Sequence, residues 1–351
     1  MNVIDLAIRS DSHVLIVGSS GAGKTTLVKD VLSRFVSDDY SIIVFDPLRL
    51  YEDCSDIHAP LPISVLEVKE RLTEIIIEAL LLHYRNDRYV LSPMMEELLE
   101  RAVQGGATSI DEVIYKLEKL ANNATRQDVV LSATALKRRL SRLACWIFNR
   151  THPVLREIRD GKVRGAVVGL DMSFLSDIQR TVYTLSIIEY TLASRQGLIY
   201  VVDEAHLFLK RDSQLFTEYL RLGRNLRKYF LLLTHSRRDL PESLLDIVRV
   251  IVEFPTLRTM NHMPLGTARV YILSRSIRET SKFIHVRRGY RKRRGLSFRR
   301  YLLACFRQKA SMFGDESIDK ILRDSILNKK LGELLLNLVE HHFYNNTDIT
   351  T

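Results

Sequence analysis

Short apolar runs alternate with longer stretches of helical periodicity over most of the chain. Several of these runs are continuously apolar, which is the pattern of strands buried on both faces of a parallel sheet. Their alternation with helices predicts an α/β fold, a mainly parallel sheet with helices on both faces. The predicted strands are His13–Val17, Ser41–Asp46, Ala166–Asp171, Leu198–Asp203 and Tyr229–His235.

Four of these strands end in polar residues, namely Asp46, Asp171, Asp203 and the pair Thr234–His235. The carboxyl ends of parallel strands lie along one edge of an open sheet, and ligands of α/β proteins bind at that edge. The sequence therefore predicts one shared site there.

A long helical segment separates the second and third predicted strands. Ser92 before Pro93 predicts a helix start, and Ser109 with Glu112 fits a capping box. We expect a helical insertion within an α/β core. The expected division is a core of residues 1–63 and 151–290 and an insertion of residues 64–150.

The insertion carries a basic cluster, Lys137, Arg138, Arg139 and Arg142. Such a cluster is either a solvated helix face or a contact for a polyanion.

Two further β-like runs, Arg269–Leu273 and Lys282–Arg287, precede the densest basic segment, Arg287–Arg300. That segment fits a phosphate-contacting element and a solvated linker equally well. Residues 301–343 then have helical spacing. We therefore expect residues 291–351 to form a basic linker and a small helical C-terminal extension.

Charge and cysteine content narrow the class of protein. The 351 residues include 52 Lys and Arg against 42 Asp and Glu, a net charge of +10, which favours a polyanionic partner without naming it. Three scattered cysteines, Cys54, Cys145 and Cys305, indicate neither a disulfide framework nor a zinc site. No apolar run approaches the roughly 18 residues of a membrane span, and no secretory signal is recognisable, so we expect a cytoplasmic protein.

The most specific chemical pattern directly follows the first predicted strand. A glycine-bracketed turn between a strand and a helix is the context of a phosphate-binding P-loop, whose backbone N–H groups hold phosphate oxygens. The predicted nucleotide-binding residues are Gly18, Ser19, Ser20, Gly21, Ala22, Gly23, Lys24, Thr25 and Thr26. We expect Lys24 to reach the terminal phosphates and Thr25 to ligate Mg²⁺, so that the ligands are ATP and Mg²⁺.

Two adjacent carboxylates follow the fourth predicted strand. In a P-loop enzyme, we expect Asp203 to hold the Mg²⁺ shell and Glu204 to orient and deprotonate the attacking water. A carboxylate in this second position favours steady ATP turnover over a GTPase-type switch.

With these motifs, the chain resembles the HerA/FtsK superfamily of DNA-pumping ATPases, particularly its HerA branch, over about residues 10–290. The motifs that carry the resemblance are Gly18–Thr25, Val44–Pro47, Val201–Phe208, Arg221–Arg224 with the later Thr234–His235, and Leu265–Ile272. The resemblance implies a RecA-like P-loop NTPase fold and a homo-oligomeric, hexameric ring with ATP between subunits. It also implies an arginine donated by the neighbouring subunit, with Arg224 as first candidate and Arg221 as second.

Two departures from that family are visible. Its strand commonly ends in Thr-Gln where this chain has Thr234–His235; an imidazole can donate the same hydrogen bond to the γ-phosphate but titrates near neutral pH. HerA proteins also carry a β-barrel domain ahead of the P-loop. In this chain the P-loop itself begins within the first twenty residues. A compact form without the barrel resembles ATPases of archaeal viruses and plasmids used in genome packaging or transfer.

Three functions therefore remain open. The leading hypothesis is a ring-forming ATPase that translocates double-stranded DNA, helicase-like, with a nuclease or other DNA-processing protein as a possible partner. The alternative is an ATP-dependent regulatory switch or initiator-type DNA-binding protein. A secretion-type ATPase that moves polypeptide is the third.

Overall fold

A computed structural model describes residues 3–83, 91–209, 213–239, 241, 244, 247–254, 267–272 and 280–285. All of them belong to the first of two structural units, residues 1–293. The predicted basic segment Arg287–Arg300 and the predicted C-terminal helices lie outside the described residues, as do residues 273, 286 and 287 of the last two predicted strands.

The described strands form one nine-stranded sheet in the order β3-β4-β2-β5-β6-β1-β7-β8-β9. Strands β1 to β7 pair in parallel, whereas β7 with β8 and β8 with β9 are antiparallel. The mainly parallel α/β fold predicted from the sequence is confirmed. The strands are β1 Val14–Val17, β2 Tyr40–Asp46, β3 Ile57–Ala59, β4 Val167–Asp171, β5 Gly197–Val202, β6 Lys228–Thr234, β7 Val250–Glu253, β8 Thr267–Ile272 and β9 Thr280–His285.

Helices cover the sheet and fill the segment between β3 and β4. The α-helices are α1 Val3–Arg9, α2 Lys24–Ser33, α3 Leu72–His83, α4 Pro93–Gln104, α5 Ile110–Asn122, α6 Gln127–Leu140, α7 Pro153–Arg159, α8 Asp177–Leu192, α9 His206–Leu209 and α10 Gln214–Asn225. Short 3₁₀ helices occur at Glu52–Cys54, Val65–Val68, Trp146–Phe148 and Arg237–Asp239. None of the helices among the described residues is long and apolar enough to cross a membrane.

Strands β3 and β7 and helix α1 are among the elements that the sequence analysis does not predict. Strand β3 is only three residues long, and Arg249 interrupts the apolar run that leads into β7. In α1, Val3, Ile4, Leu6 and Ala7 are all buried and spaced as on one helix face, so the signal was present in the sequence.

The helical segment between β3 and β4 contains no strand among its described residues. Ser92 caps α4 by accepting a hydrogen bond from Met95 N–H, with Pro93 in the first turn, as predicted. The capping box at α5 is only half right, because the Glu112 carboxylate accepts from Thr108 N–H instead of Ser109 N–H. The boundaries at 64 and 150 stay a prediction.

A buried histidine ties the start of β1 to α10 and β6. His13 Nε2 lies 2.6 Å from Leu220 O, and Phe230 N–H donates to His13 Nδ1 at 3.2 Å. Both contacts suit the neutral ring, because a protonated Nδ1 would face another donor. Burial lowers the pKa of His13 from 6.5 to about 4, against the hydrogen bond to Leu220 and with help from the charge of Arg224.

This histidine makes the stability of the fold depend on pH. The unfolded chain binds the proton near pH 6.5 and the folded chain near pH 4, so the free energy of unfolding should fall as pH drops through this window. The loss should be on the order of 3 kcal/mol once His13 is fully protonated. His152 adds to it, because burial lowers its pKa to about 4 as well.

Urea unfolding between pH 7 and pH 4 measures this effect. His13→Gln should be less stable at pH 7 but should lose less stability on acidification. His83→Gln, which removes a partly buried histidine bonded to Thr181, is the matched control. An unchanged pH dependence in His13→Gln would contradict the assignment.

Candidate active site

Strand β6 lies between β1 and β5 and brings their carboxyl ends to one edge of the sheet. Val17 at the end of β1 is in register with Thr234 of β6, and Val202 at the end of β5 is in register with Leu232. The P-loop therefore follows β1, and Asp203 follows β5, at the same edge as His235.

The P-loop has the backbone shape that its glycines predict. Gly23 has φ +107°, a conformation that L side chains rarely adopt, and α2 begins at the next residue. Lys24 is buried, and its Nζ donates to Gly18 O at 2.6 Å and to Ser19 O at 3.2 Å. Lys24 thus contacts backbone carbonyl groups of the same loop that is predicted to bind the phosphates.

Phe254, directly after β7, closes the other side of the loop. Its N–H donates to Val17 O at 2.8 Å, and a Cβ added at Gly18 would lie 2.9 Å from the Phe254 Cβ. Gly18 is therefore required by the close approach of an aromatic side chain.

Tyr51 joins the two residues predicted to hold Mg²⁺. Its hydroxyl donates to Asp203 Oδ2 at 2.9 Å and also shares a hydrogen bond with the Thr25 side chain. The structure therefore brings the side chains of Thr25 and Asp203 to one buried hydroxyl group. Burial raises the pKa of Tyr51 well above its usual value, and the charge of Asp203 reinforces the shift, so this hydroxyl is a donor at neutral pH.

Asp46 holds Tyr51 in this position. Its carboxylate accepts hydrogen bonds from Leu50 N–H and Tyr51 N–H, and His58 Nε2 lies 2.9 Å from its second oxygen. Burial raises the pKa of Asp46, but these hydrogen bonds together outweigh it and lower the pKa below the usual value. Asp46 therefore shapes the turn that carries Tyr51.

Asp171 lies at the carboxyl end of β4, in register with Asp46 of β2. It accepts hydrogen bonds from the backbone and hydroxyl of Ser173.

Glu204 lies in a tight turn between β5 and α9. Its φ of +56° is unusual for a residue with a side chain. The turn is fixed because Glu204 N–H donates to Asp203 Oδ1 and Ala205 N–H donates to Leu233 O of β6. Its carboxylate lies 3.1 Å from His206 Nδ1 and 3.2 Å from His235 Nε2.

Opposite charges face one another across the loop. Burial lowers the pKa of Lys24, although the carboxylates of Asp203 and Glu204 oppose the shift. Burial likewise raises the pKa of Asp203 despite hydrogen bonds from Tyr51 and from Glu204 N–H. Burial therefore makes the charged forms of Lys24 and Asp203 unfavourable in free energy. A bound triphosphate would supply the counter-charge for Lys24, and a divalent cation would supply it for Asp203. The oxygen donors of Thr25 and Asp203 fit Mg²⁺, which prefers hydroxyl and carboxylate ligands.

Arg221 and Arg224 lie away from this edge. They are on the last turns of α10, which leads into the amino end of β6, and Arg224 is close enough to His13 for its charge to lower the pKa of that ring. The P-loop lies at the other end of β1, whose four residues span about 13 Å. The structure does not bring these arginines to the P-loop of the same chain.

The basic cluster at the end of α6 and directly after it is partly engaged within the protein. Lys137 forms an ion pair with Glu118 of α5, and Arg139 donates to Met95 Sδ. Arg138 and Arg142 are exposed. The cluster is therefore not one continuous basic face.

Sequence reasoning missed three residues of this edge: Tyr51, Phe254 and His206 as a neighbour of Glu204. Tyr51 and Asp203 are 152 positions apart, and a single sequence gives no signal for such a contact. His206 lies in the Val201–Phe208 motif, but its approach to His235 depends on the pairing of β5 with β6.

Comparisons with known proteins agree with this fold. No curated protein matches the chain. The plasmid coupling protein TrwB in complex with the GTP analogue GDPNP has a TM-score of 0.58 at 14% identity, over 82% of this chain and 88% of that chain. VirB4 of Thermoanaerobacter pseudethanolicus has a TM-score of 0.56 at 14% identity, over 79% and 89% of the two chains. TrwB with ADP and Mg²⁺ has a TM-score of 0.57 at 14% identity, over 82% and 89%.

These structural similarities show a RecA-like P-loop NTPase fold. The family model of the helicase HerA central domain, DUF87, matches residues 3–190, more than half of the chain. That match includes the P-loop and the turn that carries Tyr51. The chain therefore belongs to the HerA helicase central-domain family, among the HerA/FtsK-type P-loop ATPases.

Proposed function

We propose that this protein is an ATP-hydrolysing motor that assembles into a ring, a hexamer by analogy with its family, and translocates double-stranded DNA. The proposal depends on the distribution of charge in one chain. The phosphate-binding and water-activating groups lie at one edge of the sheet, and the candidate arginines lie toward the other.

The residues of the P-loop edge have distinct roles in this proposal. Backbone N–H groups of residues 18–26 and Lys24 bind the phosphates, with Lys24 exchanging loop carbonyls for phosphate oxygens. Thr25 and Asp203 hold Mg²⁺, which when bound neutralises phosphate charge. Tyr51 orients the Asp203 carboxylate through its hydrogen bond.

Glu204 is the proposed general base. Its carboxylate follows Asp203 directly and takes a proton from the water that attacks the γ-phosphate. His235, directly after β6, donates a hydrogen bond to the same phosphate in this proposal. Glu204 and His235 are already 3.2 Å apart.

Arg224, or Arg221, completes the site of a neighbouring subunit in this proposal. Neither is near the P-loop of its own chain, whereas charge on a transferring phosphoryl group is commonly neutralised by an arginine supplied in trans. A head-to-tail ring is the assembly in which every site receives one.

The proposed substrate follows from charge and from relatives. The net charge is +10, and Arg237 and Arg238 are exposed directly after the His235 turn. TrwB, which shares the fold, is a plasmid coupling protein. Contacts from arginines to phosphates would bind DNA without reading its sequence.

DNA should therefore stimulate hydrolysis. We expect the ATPase rate to rise with linear duplex of any sequence, and DNA affinity to fall with salt at a log–log slope of about −0.9 per phosphate contacted. Measuring the rate and the binding together between 50 and 200 mM salt tests this prediction. Slow hydrolysis that ignores DNA, with a footprint at one sequence, would support a regulatory switch instead.

A shared site predicts complementation between two inactive variants. Lys24→Ala should lose its own site and still lend an arginine, and Arg224→Ala should do the reverse. Loss of the arginine alone should lower the rate by about 10³ to 10⁵. In mixed rings at equal amounts, about a quarter of the interfaces are intact, so a corresponding fraction of activity should return.

Native mass spectrometry verifies that the rings are mixed. Arg227→Ala, which removes an exposed arginine stacked on Tyr40, is the matched control and should remain active. If mixed rings stay inactive, the test is repeated with Arg221→Ala; failure of both rejects a trans arginine on α10.

Tyr51→Phe tests the orientation of Asp203. Loss of this hydrogen bond should raise the Mg²⁺ concentration for half-maximal hydrolysis by about tenfold or more, because groups that orient a metal ligand affect metal affinity strongly. Tyr183→Phe, which removes a buried hydroxyl bonded to Leu61 O, should leave the Mg²⁺ dependence unchanged. Equal Mg²⁺ dependence in wild type and Tyr51→Phe would contradict the role of Tyr51.

A further inference from the structure

Three metal-ligating side chains converge beside the Asp203–Glu204 turn: Glu204, His206 and His235, here termed the Glu–His–His cluster. Glu204 Oε2 lies 3.1 Å from His206 Nδ1 and 3.2 Å from His235 Nε2. One donor atom from each of the three residues lies within 4.8 Å of the other two.

These distances suit a small divalent cation. In a tetrahedral zinc site, with metal–ligand bonds of about 2.0–2.1 Å, neighbouring ligand atoms are about 3.4 Å apart. The two distances from Glu204 are already close to that value. The two imidazoles are tilted by 50° with ring centroids 5.6 Å apart, and their candidate ligand nitrogens lie within 4.8 Å of each other.

The backbone holds the cluster together from both sides. Ala205 N–H donates to Leu233 O, which fixes the Glu204 turn and the start of α9 to β6. After β6, Asp239 accepts hydrogen bonds from the Thr234 hydroxyl and from Ser236 N–H, which fixes the chain on either side of His235. All three ligands therefore come from segments that are tied to the same strand.

The donor set selects the metal. Imidazole nitrogen is a good ligand for zinc and related transition metals, whereas Mg²⁺ prefers oxygen ligands. Two adjacent sites thus prefer different metals. The oxygens of Thr25 and Asp203 suit Mg²⁺, and the Glu–His–His cluster suits zinc and related transition metals. The side chains of Glu204, His206 and His235 are 29%, 25% and 41% exposed, which leaves room for a water as fourth ligand.

We propose that the Glu–His–His cluster is a binding site for a divalent transition metal of the zinc class, with two imidazole nitrogens, one carboxylate oxygen and a water as ligands. Occupancy of this site removes the Glu204 carboxylate from water activation and the His235 imidazole from the γ-phosphate, so the metal inhibits hydrolysis, while the P-loop still binds the nucleotide. The inhibition rests on the proposed function of Glu204; the binding does not.

Binding is tested on the full chain without nucleotide and without a polyhistidine tag. Titration with Co²⁺, followed by its visible absorption, and competition with Zn²⁺ should give one site per chain. His206→Gln and His235→Gln should each weaken that site by at least tenfold, since even loss of a group behind a ligand costs 10- to 100-fold.

Matched controls separate this site from other metal ligands in the chain. Cys145→Ser removes a partly exposed thiol, and a double His341→Gln, His342→Gln variant removes an adjacent histidine pair outside the described residues. Both should bind as wild type does. If neither His206→Gln nor His235→Gln weakens binding, or if no stoichiometric site is found, the proposal is wrong. His206→Asn replaces His206→Gln if the latter misfolds.

Inhibition is tested separately under excess Mg²⁺. In the wild type, stoichiometric Zn²⁺ should lower kcat with little change in the KM for ATP. The rate of His206→Gln is compared with its own rate without Zn²⁺. This variant should need at least tenfold more Zn²⁺ for the same fractional loss of rate. Zn²⁺ binding at the cluster without inhibition would overturn the role of Glu204 as base and leave the metal site intact. Inhibition that is equal in wild type and His206→Gln would overturn the inhibitory role of the site.

Discussion

The parallel pairing of β6 with β1 on one side and β5 on the other is the constraint on which the site depends. All three strands are buried along their length, so their register is set by apolar packing on both faces of the sheet. Because of that register, the P-loop, the Asp203–Glu204 turn and His235 share one edge. A shift of one residue in either pairing would separate the lysine from the carboxylates.

At this edge, Lys24, Tyr51 and Asp46 each have hydrogen-bond partners within the protein. Lys24 contacts carbonyl oxygens, Tyr51 donates to Asp203, and Asp46 anchors the turn that carries Tyr51. Buried polar groups are costly unless they are hydrogen-bonded, and here the hydrogen bonds also set distances. The same hydrogen bonds therefore offset the free-energy cost of burying these polar groups and fix their positions.

Local chemistry could be predicted from the sequence, and contacts between distant segments could not. The five central strands are apolar runs long enough to identify, and the P-loop is a local motif whose geometry follows from its glycines. The three-residue β3 has too few side chains to form a pattern. The partnership of Tyr51 with Asp203 and the approach of His206 to His235 arise only when separate strands pair. The left-handed backbone of Glu204 had no sequence signal either, because it is enforced by the Ala205–Leu233 hydrogen bond and not by a glycine.

Phe254 packs directly against the P-loop. Its side chain fills the space beside Gly18 and Gly23, and its backbone is bonded to Val17. Protein interiors are close-packed, so a displacement of β7 by more than a few tenths of an ångström would either compress the loop or open a void beside it. A displacement of β7 would therefore be passed on through Phe254 to the loop that is predicted to bind the phosphates.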